Sequence, residues 1–198
     1  MISQECECVA KRRSIGRIRR SGLAGLLGTY TFAAYQTPNR WQKDAKERAI
    51  RFVEHGAGAW FIISGTPGTG KTHLCTAIAG MLIEAGKEVA YLLWRDEAPR
   101  LKAAVNDREV YEAAMKFYKG VDVLYIDDFF KGGVTEADIN LAFELLNARY
   151  NAHGKMTLIS TEKSIDQLLD IDEAIGSRIY ERSKGYCIYT PEQNWRLR

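Results

Sequence analysis

The chain has 198 residues, 46% of them hydrophobic, and a formal net charge of +3. That length supports one well-buried core and would crowd a second full domain. No stretch approaches the roughly 18 consecutive apolar residues of a membrane span, and the N-terminus lacks the apolar run of a secretion signal, so the expectation is a cytoplasmic protein with no membrane contact.

Charge is unevenly placed. Lys11, Arg12, Arg13, Arg17, Arg19 and Arg20 against Glu5 and Glu7 put a net +4 into the first twenty residues, which leaves −1 for the rest. The expected organisation is a basic N-terminal arm over residues 1–36 and a near-neutral domain over 37–198. Such an arm either meets an anionic partner or docks as a solvated helix through Ile15, Ile18, Leu23 and Leu26. Cys6 and Cys8 have the form of half a zinc site, yet no second pair or nearby histidine completes four ligands. Cys75 and Cys187 fall in apolar segments and read as small buried residues.

Thr37-Pro38 ahead of Trp41, Ala45, Ala49, Phe52 and Val53 predicts an N-capped helix with proline at its first position, broken by Gly56 and Gly58. Ala59 to Ser64 suits a buried strand, and Leu74, Ile78, Met81, Leu82 and Ala85 recur at helical spacing. Between them lies Gly65-Thr66-Pro67-Gly68-Thr69-Gly70-Lys71-Thr72, a complete G-x-x-x-x-G-K-[ST] loop in its required strand-to-helix context. Its glycines let successive N–H groups curl towards a β-phosphate while the helix offers its positive end to the same anion. Lys71 would reach the β and γ phosphates, and Thr72 would place its hydroxyl on magnesium. His73 caps or packs beside the loop, so the expected nucleotide cradle is Gly65, Thr66, Pro67, Gly68, Thr69, Gly70, Lys71, Thr72 and His73.

Gly86-Lys87 ends that helix, Val89 to Trp94 makes a second buried strand, and residues 95–120 form a charged helical excursion. Val121 to Ile126 is a β-rich segment ending in Asp127-Asp128, the pattern of a Walker B strand whose carboxylate, here Asp127, holds the metal shell. Asp128 either activates the attacking water or opens a turn before Lys131-Gly132-Gly133. Thr135 to Asp138 is a capping box for a helix with Ile139, Ala142, Phe143, Leu146 and Tyr150 on one face. Met156 to Ser160 is a fourth strand, Ser164 to Gln167 caps another helix, residues 172–183 form a further one, and Tyr186 to Tyr189 is a fifth strand. Strands alternating with helices imply a parallel sheet covered on both faces, with ligand at the carboxyl ends of the strands.

Beyond the Walker elements, the segments Tyr30 to Tyr35, Tyr91 to Arg95, Ile126 to Phe130, Gly176 to Arg182 and Asn194 to Arg198 carry a resemblance over residues 11–198. The chain resembles the AAA+ ATPase domain of bacterial and phage replicative helicase loaders of the DnaC and DnaI type, with the IstB transposition helpers as relatives. The resemblance implies a P-loop NTPase fold of three α/β/α layers, a five-stranded parallel sheet of order 5-1-4-3-2, and no C-terminal lid domain. It implies ATP and Mg2+ as cofactors, slow hydrolysis, self-association through the ATP site, and a DnaB-type replicative helicase and single-stranded DNA as partners. The implied catalytic set is Lys71, Asp128, Arg178 and Glu162. Asp128 stands where such ATPases often carry a water-polarising glutamate. Arg178 takes the position of an arginine finger reaching a neighbour's γ-phosphate, with Arg182 as the fallback and an intrahelical pair with Glu181 as the plain alternative. Thr161 and Glu162 fall where this class places a polar γ-phosphate sensor. Arg95, Arg100 and Lys102, after the second strand, are the implied DNA contacts, diluted by nearby acids, while Tyr111, Phe117 and Tyr118 read as core. Two rivals remain: a transposition helper of the IstB kind, and a P-loop small-molecule kinase, against which stands the lack of a lid with paired arginines.

Overall fold

Five apolar runs pair side by side: β1 (Trp60–Ser64), β2 (Val89–Leu93), β3 (Val123–Phe129), β4 (Met156–Thr161) and β5 (Cys187–Tyr189). The computed structural model describes residues 23–191. The basic residues 11–20, Cys6 and Cys8, and the closing Asn194 to Arg198 lie outside the described residues. Every strand pairing is parallel, in the order β2-β3-β4-β1-β5, which is the expected 5-1-4-3-2 taken from the opposite edge. A parallel sheet is covered on both faces, which is why these strands read as unbroken hydrophobic runs.

Alternation along the strands sorts the core into two layers. Phe61, Ile63, Tyr125 and Leu158 face α1 (Ala24–Leu27), α2 (Arg40–His55) and α3 (Lys71–Glu84). Trp60, Ile62, Leu124, Ile126 and Ile159 face α4 (Trp94–Ala103), α5 (Arg108–Gly120), α6 (Glu136–Asn151), α7 (Ile165–Ile171) and α8 (Glu173–Arg182). Leu23 and Tyr35, from the segment before α2, are buried in the first layer. Each such side chain taken out of water contributes about 1.5–3 kcal/mol before entropy is counted.

Three local expectations shift. Helix α2 starts two residues later than Thr37-Pro38 suggested: Asn39 is the extended N-cap, and Gln42 Oε1 reaches back to accept from its backbone N–H at 3.0 Å. Strand β2 ends at Leu93, and Trp94 opens α4 with its ring edge-on to Phe129 and Phe130, at 5.0 and 5.4 Å between ring centres. Helix α6 buries Asp138, Leu141, Ala142, Leu145, Leu146 and Arg149, so its inward stripe is rotated from the one expected and Phe143 is exposed. The rotation follows from two polar residues whose bonding is met inside. Asp138 accepts from Lys102 and Thr135, and Arg149, with no exposure at all, donates to the carbonyls of Tyr118, Val121 and Met156 and to Thr157 Oγ1. Burial, partly opposed by Asp122, pushes the Arg149 pKa down to about 10, so it remains a cation at neutral pH.

Candidate nucleotide-binding site

The loop between β1 and α3 has Gly65, Gly68 and Gly70 at φ of 139°, 80° and 88°. A Cβ on Gly65 would lie 2.0 Å from Thr190 Oγ1, and one on Gly70 would lie 3.2 Å from the Tyr35 ring, so geometry and space both require glycine there. Thr69 Oγ1 donates to Thr66 O at 3.1 Å and accepts from Thr190 Oγ1 at 3.0 Å, which ties the loop to the chain after β5. Lys71 is buried, and its ammonium folds back on the loop to donate to the carbonyls of Gly65 and Thr66, each at 2.7 Å. Burial is the largest influence on that ammonium and lowers its pKa, against the opposing pull of Glu162, Asp128 and Asp127.

From the facing strand, Asp127 Oδ1 accepts from Thr72 Oγ1 at 3.3 Å. The carboxylate is held from two further sides, by Tyr91 Oη at 2.9 Å on Oδ2 and by Ser160 Oγ on Oδ1. Burial first, and then Asp127, push the Tyr91 phenol well above its ordinary pKa, so it stays a donor. A hydroxyl and a carboxylate converging at the mouth of a phosphate loop fit a hard, oxygen-seeking cation that takes its remaining ligands from phosphate and water. Among the described residues no group of three or more His, Cys, Asp or Glu side chains could hold a metal.

Asp128 follows in a left-handed conformation at φ 55°, with its N–H bonded to Ser160 Oγ at 3.1 Å. The β3 to β4 register slips between Ile126 and Phe129 at this point. Strict alternation would have sent Asp128 to the Ile126 side, into the apolar layer; the slip turns it into the cleft instead. Lys131 Nζ lies 3.1 Å from Asp128 Oδ2 and 3.1 Å from Glu162 Oε1. The cleft, about 200 Å³, is lined by Gly68, Gly70, Lys71, Thr72, His73, Asp128, Lys131 and Glu162, with Tyr30 and Pro67 at its edge. His73 turns towards the segment before α2: its Nε2 is 3.0 Å from Thr31 O, and its ring stacks on Tyr30 at 4.7 Å.

The profile of the family described as IstB-like ATP binding protein matches residues 1–188 of this chain. The chain belongs to that family. It is also 33% identical over 200 residues to the uncharacterized protein YqaM of Bacillus subtilis, covering 94% of this chain and 63% of that protein. Identity to the replicative helicase loader DnaC of Escherichia coli is 28% over 169 residues, covering 83% of this chain and 67% of DnaC. A crystal structure of the DnaC helicase loader superposes with a TM-score of 0.70 at 23% identity, over 81% of this chain and 96% of that one. The fold is therefore that of a P-loop AAA+ domain, and the chain carries the domain of the IstB-like ATP-binding family.

The remaining expected residues divide. Arg178 is outside the cleft of its own chain; its Nη1 donates to Ala174 O at 2.7 Å, and its guanidinium lies 5.3 and 5.5 Å from the ring centres of Phe143 and Tyr150. The alternative pair with Glu181 does not form; Glu181 accepts from Tyr150 Oη at 2.7 Å instead. Arg182 donates to the backbone carbonyl of Tyr150. Thr161 is buried and bonded to Phe129 O at 2.7 Å, which leaves Glu162 as the member of that pair facing the cleft. Arg95 and Arg100 are exposed, whereas Lys102 is paired with Asp138 at 2.6 Å. Arg95, Lys102 and Lys131 line a groove beside Trp94 and Phe130, and Arg100 is not part of it. Sequence reasoning missed Ser160, Tyr91, Tyr30 and Lys131. Tyr30 and Tyr91 begin segments that carry the family resemblance and Lys131 stands three residues past Asp128, yet no sequence pattern gives any of the four a role in the site.

Proposed function

We propose that this chain is an ATP-dependent loader of a DnaB-type replicative helicase onto single-stranded DNA, with ATP binding and slow hydrolysis as its switch. The observation that carries the reading is the Thr72 to Asp127 contact at the mouth of the phosphate loop, in a chain similar to the helicase loader DnaC over most of its length. Lys71 and the loop amides hold the phosphates, and Thr72 and Asp127 hold Mg2+, which neutralises developing charge when bound. Asp128 orients the attacking water, Glu162 lines the γ-phosphate end, and Arg178 acts in trans when a second copy closes over the site. A residue stacked on Phe143 and Tyr150 outside its own cleft suits that role. Arg95 and Arg100 are surface cations within reach of DNA phosphates, Arg100 beside Glu97 at 3.6 Å, and the groove that Arg95 lines meets the nucleotide cleft at Lys131. Among the described residues no helix is long and apolar enough to cross a membrane. The arm over residues 1–36 is the proposed docking element for the helicase.

The test is co-purification of the full chain with the host's hexameric replicative helicase, with and without ATP, followed by transfer of that helicase to single-stranded DNA. Failure to bind either ATP analogue or helicase refutes the reading. A second reading, a transposition helper, is favoured by the family description itself. It predicts capture of a transposase and target duplex in place of the helicase.

A further inference from the structure

Three carboxylates crowd the γ-phosphate end of the cleft, and the phosphate loop supplies one lysine to balance them. Asp127 belongs to the metal position. Asp128 and Glu162, from the ends of β3 and β4, would face an incoming polyanion with no compensation of their own. Lys131 supplies it. Its ammonium sits between the two, 3.1 Å from each, in a setting where all three side chains are only 25–30% exposed. A fully exposed pair of this kind contributes little, but here a lysine, two acids, Lys71 and Thr72 share one cleft.

We infer that Lys131 is the γ-phosphate contact made in cis: without nucleotide its ammonium bridges Asp128 and Glu162, and when MgATP binds it leaves that bridge for a γ-phosphate oxygen and frees Asp128 to orient water. The inference rests on the ATPase reading of the same site. Several observations support it. An ammonium carries three donors, so on leaving two carboxylate oxygens it can bond a phosphate oxygen and water in their place. Gly132 and Gly133, directly after it, have open space where a Cβ would be, so no neighbouring side chain crowds the backbone on that side. Phe130, just before it, is 1% exposed and wedged against Trp94 and Phe129, which fixes the root of the lysine at the cleft while its tip stays movable. A second role, as a staple between the β3 turn and the β4 end, makes a different prediction, because a staple serves ATP and ADP alike.

The experiment is a calorimetric or fluorescence titration of wild type, Lys131→Met and Lys131→Arg with a non-hydrolysable MgATP analogue and with MgADP. Loss of one charge-assisted contact reserved for the γ-phosphate should weaken binding of the ATP analogue about tenfold or more in Lys131→Met, while ADP affinity stays within about twofold. Lys131→Arg should recover most of the difference. Equal loss for both nucleotides, or no loss for either, overturns the inference and leaves the ATPase reading standing. Wild-type protein that binds neither nucleotide overturns that reading, and the inference with it.

Discussion

Replacing Arg149 by methionine removes a fully buried cation that holds three separate pieces of the fold. Its guanidinium donates to Tyr118 O at 2.9 Å and Val121 O at 3.0 Å, at the C-terminal end of α5, and to Met156 O at 2.5 Å and Thr157 Oγ1 at 3.1 Å, at the start of β4. Methionine fills much of the volume but donates nothing. Each buried acceptor left without a partner costs about 1–3 kcal/mol. Four such groups would sum well above the final figure, because relief of the cation's own desolvation offsets part of the loss and water enters the gap. A net destabilisation of about 3–5 kcal/mol is expected, a large share of the roughly 5–15 kcal/mol that holds a domain of this kind together. At about 2–4 °C per kcal/mol for a chain of this size, the melting temperature should drop by roughly 6–20 °C. Urea unfolding followed by circular dichroism measures it, with Arg149→Lys as a companion that keeps the charge but reaches fewer carbonyls and so falls between. A loss below about 1 kcal/mol in Arg149→Met would refute the argument that these bonds order the α5 to β4 junction.

Lys71→Ala should abolish detectable binding of both ATP and ADP, read by fluorescence titration. Arg178→Ala should keep nucleotide affinity and lower hydrolysis by about a hundredfold, in the part of the rate that rises with protein concentration; phosphate release measured over a concentration series checks this. Ser160→Ala removes the donor on Asp127 and the acceptor for the Asp128 N–H. Second-layer losses of this kind reduce metal-dependent affinity about 10–100-fold, so MgATP binding should weaken by that factor, while binding measured in EDTA changes little.

Sequence alone reached the phosphate loop, the strand ending at Asp127 and a parallel sheet because each rests on a local pattern: a glycine spacing, a run ending in a carboxylate, strands alternating with helices; the order of the strands followed only from the family resemblance. It failed where a polar residue faces inward. Reading α6 by its apolar letters put Phe143 and Tyr150 on the buried stripe, whereas Asp138 and Arg149 hold part of that stripe. Both take partners from other elements, Lys102 of α4 in one case and, in the other, the end of α5 and the start of β4. Periodicity cannot register a bond whose other half lies on another element.

The same limit explains why Asp128 left two readings open. Whether it activates water or opens a turn depends on backbone geometry that no residue pattern encodes, and here the chain turns at Asp128 while its side chain lines the cleft. Asp128 and Phe130 are the non-glycine residues at positive φ among those described, at 55° and 52°, and each such conformation costs about 1–3 kcal/mol. The surroundings over-determine them: Ser160 holds the Asp128 N–H, and Trp94 and Phe129 clamp the Phe130 ring. Without that strained exit β3 would carry Asp128 into the apolar layer and Lys131 away from the cleft. The turn is therefore what delivers a carboxylate and a cation together to the cleft. A substitution that relaxes it, even one remote from nucleotide such as Trp94→Ala, should uncouple hydrolysis from binding before it unfolds the domain.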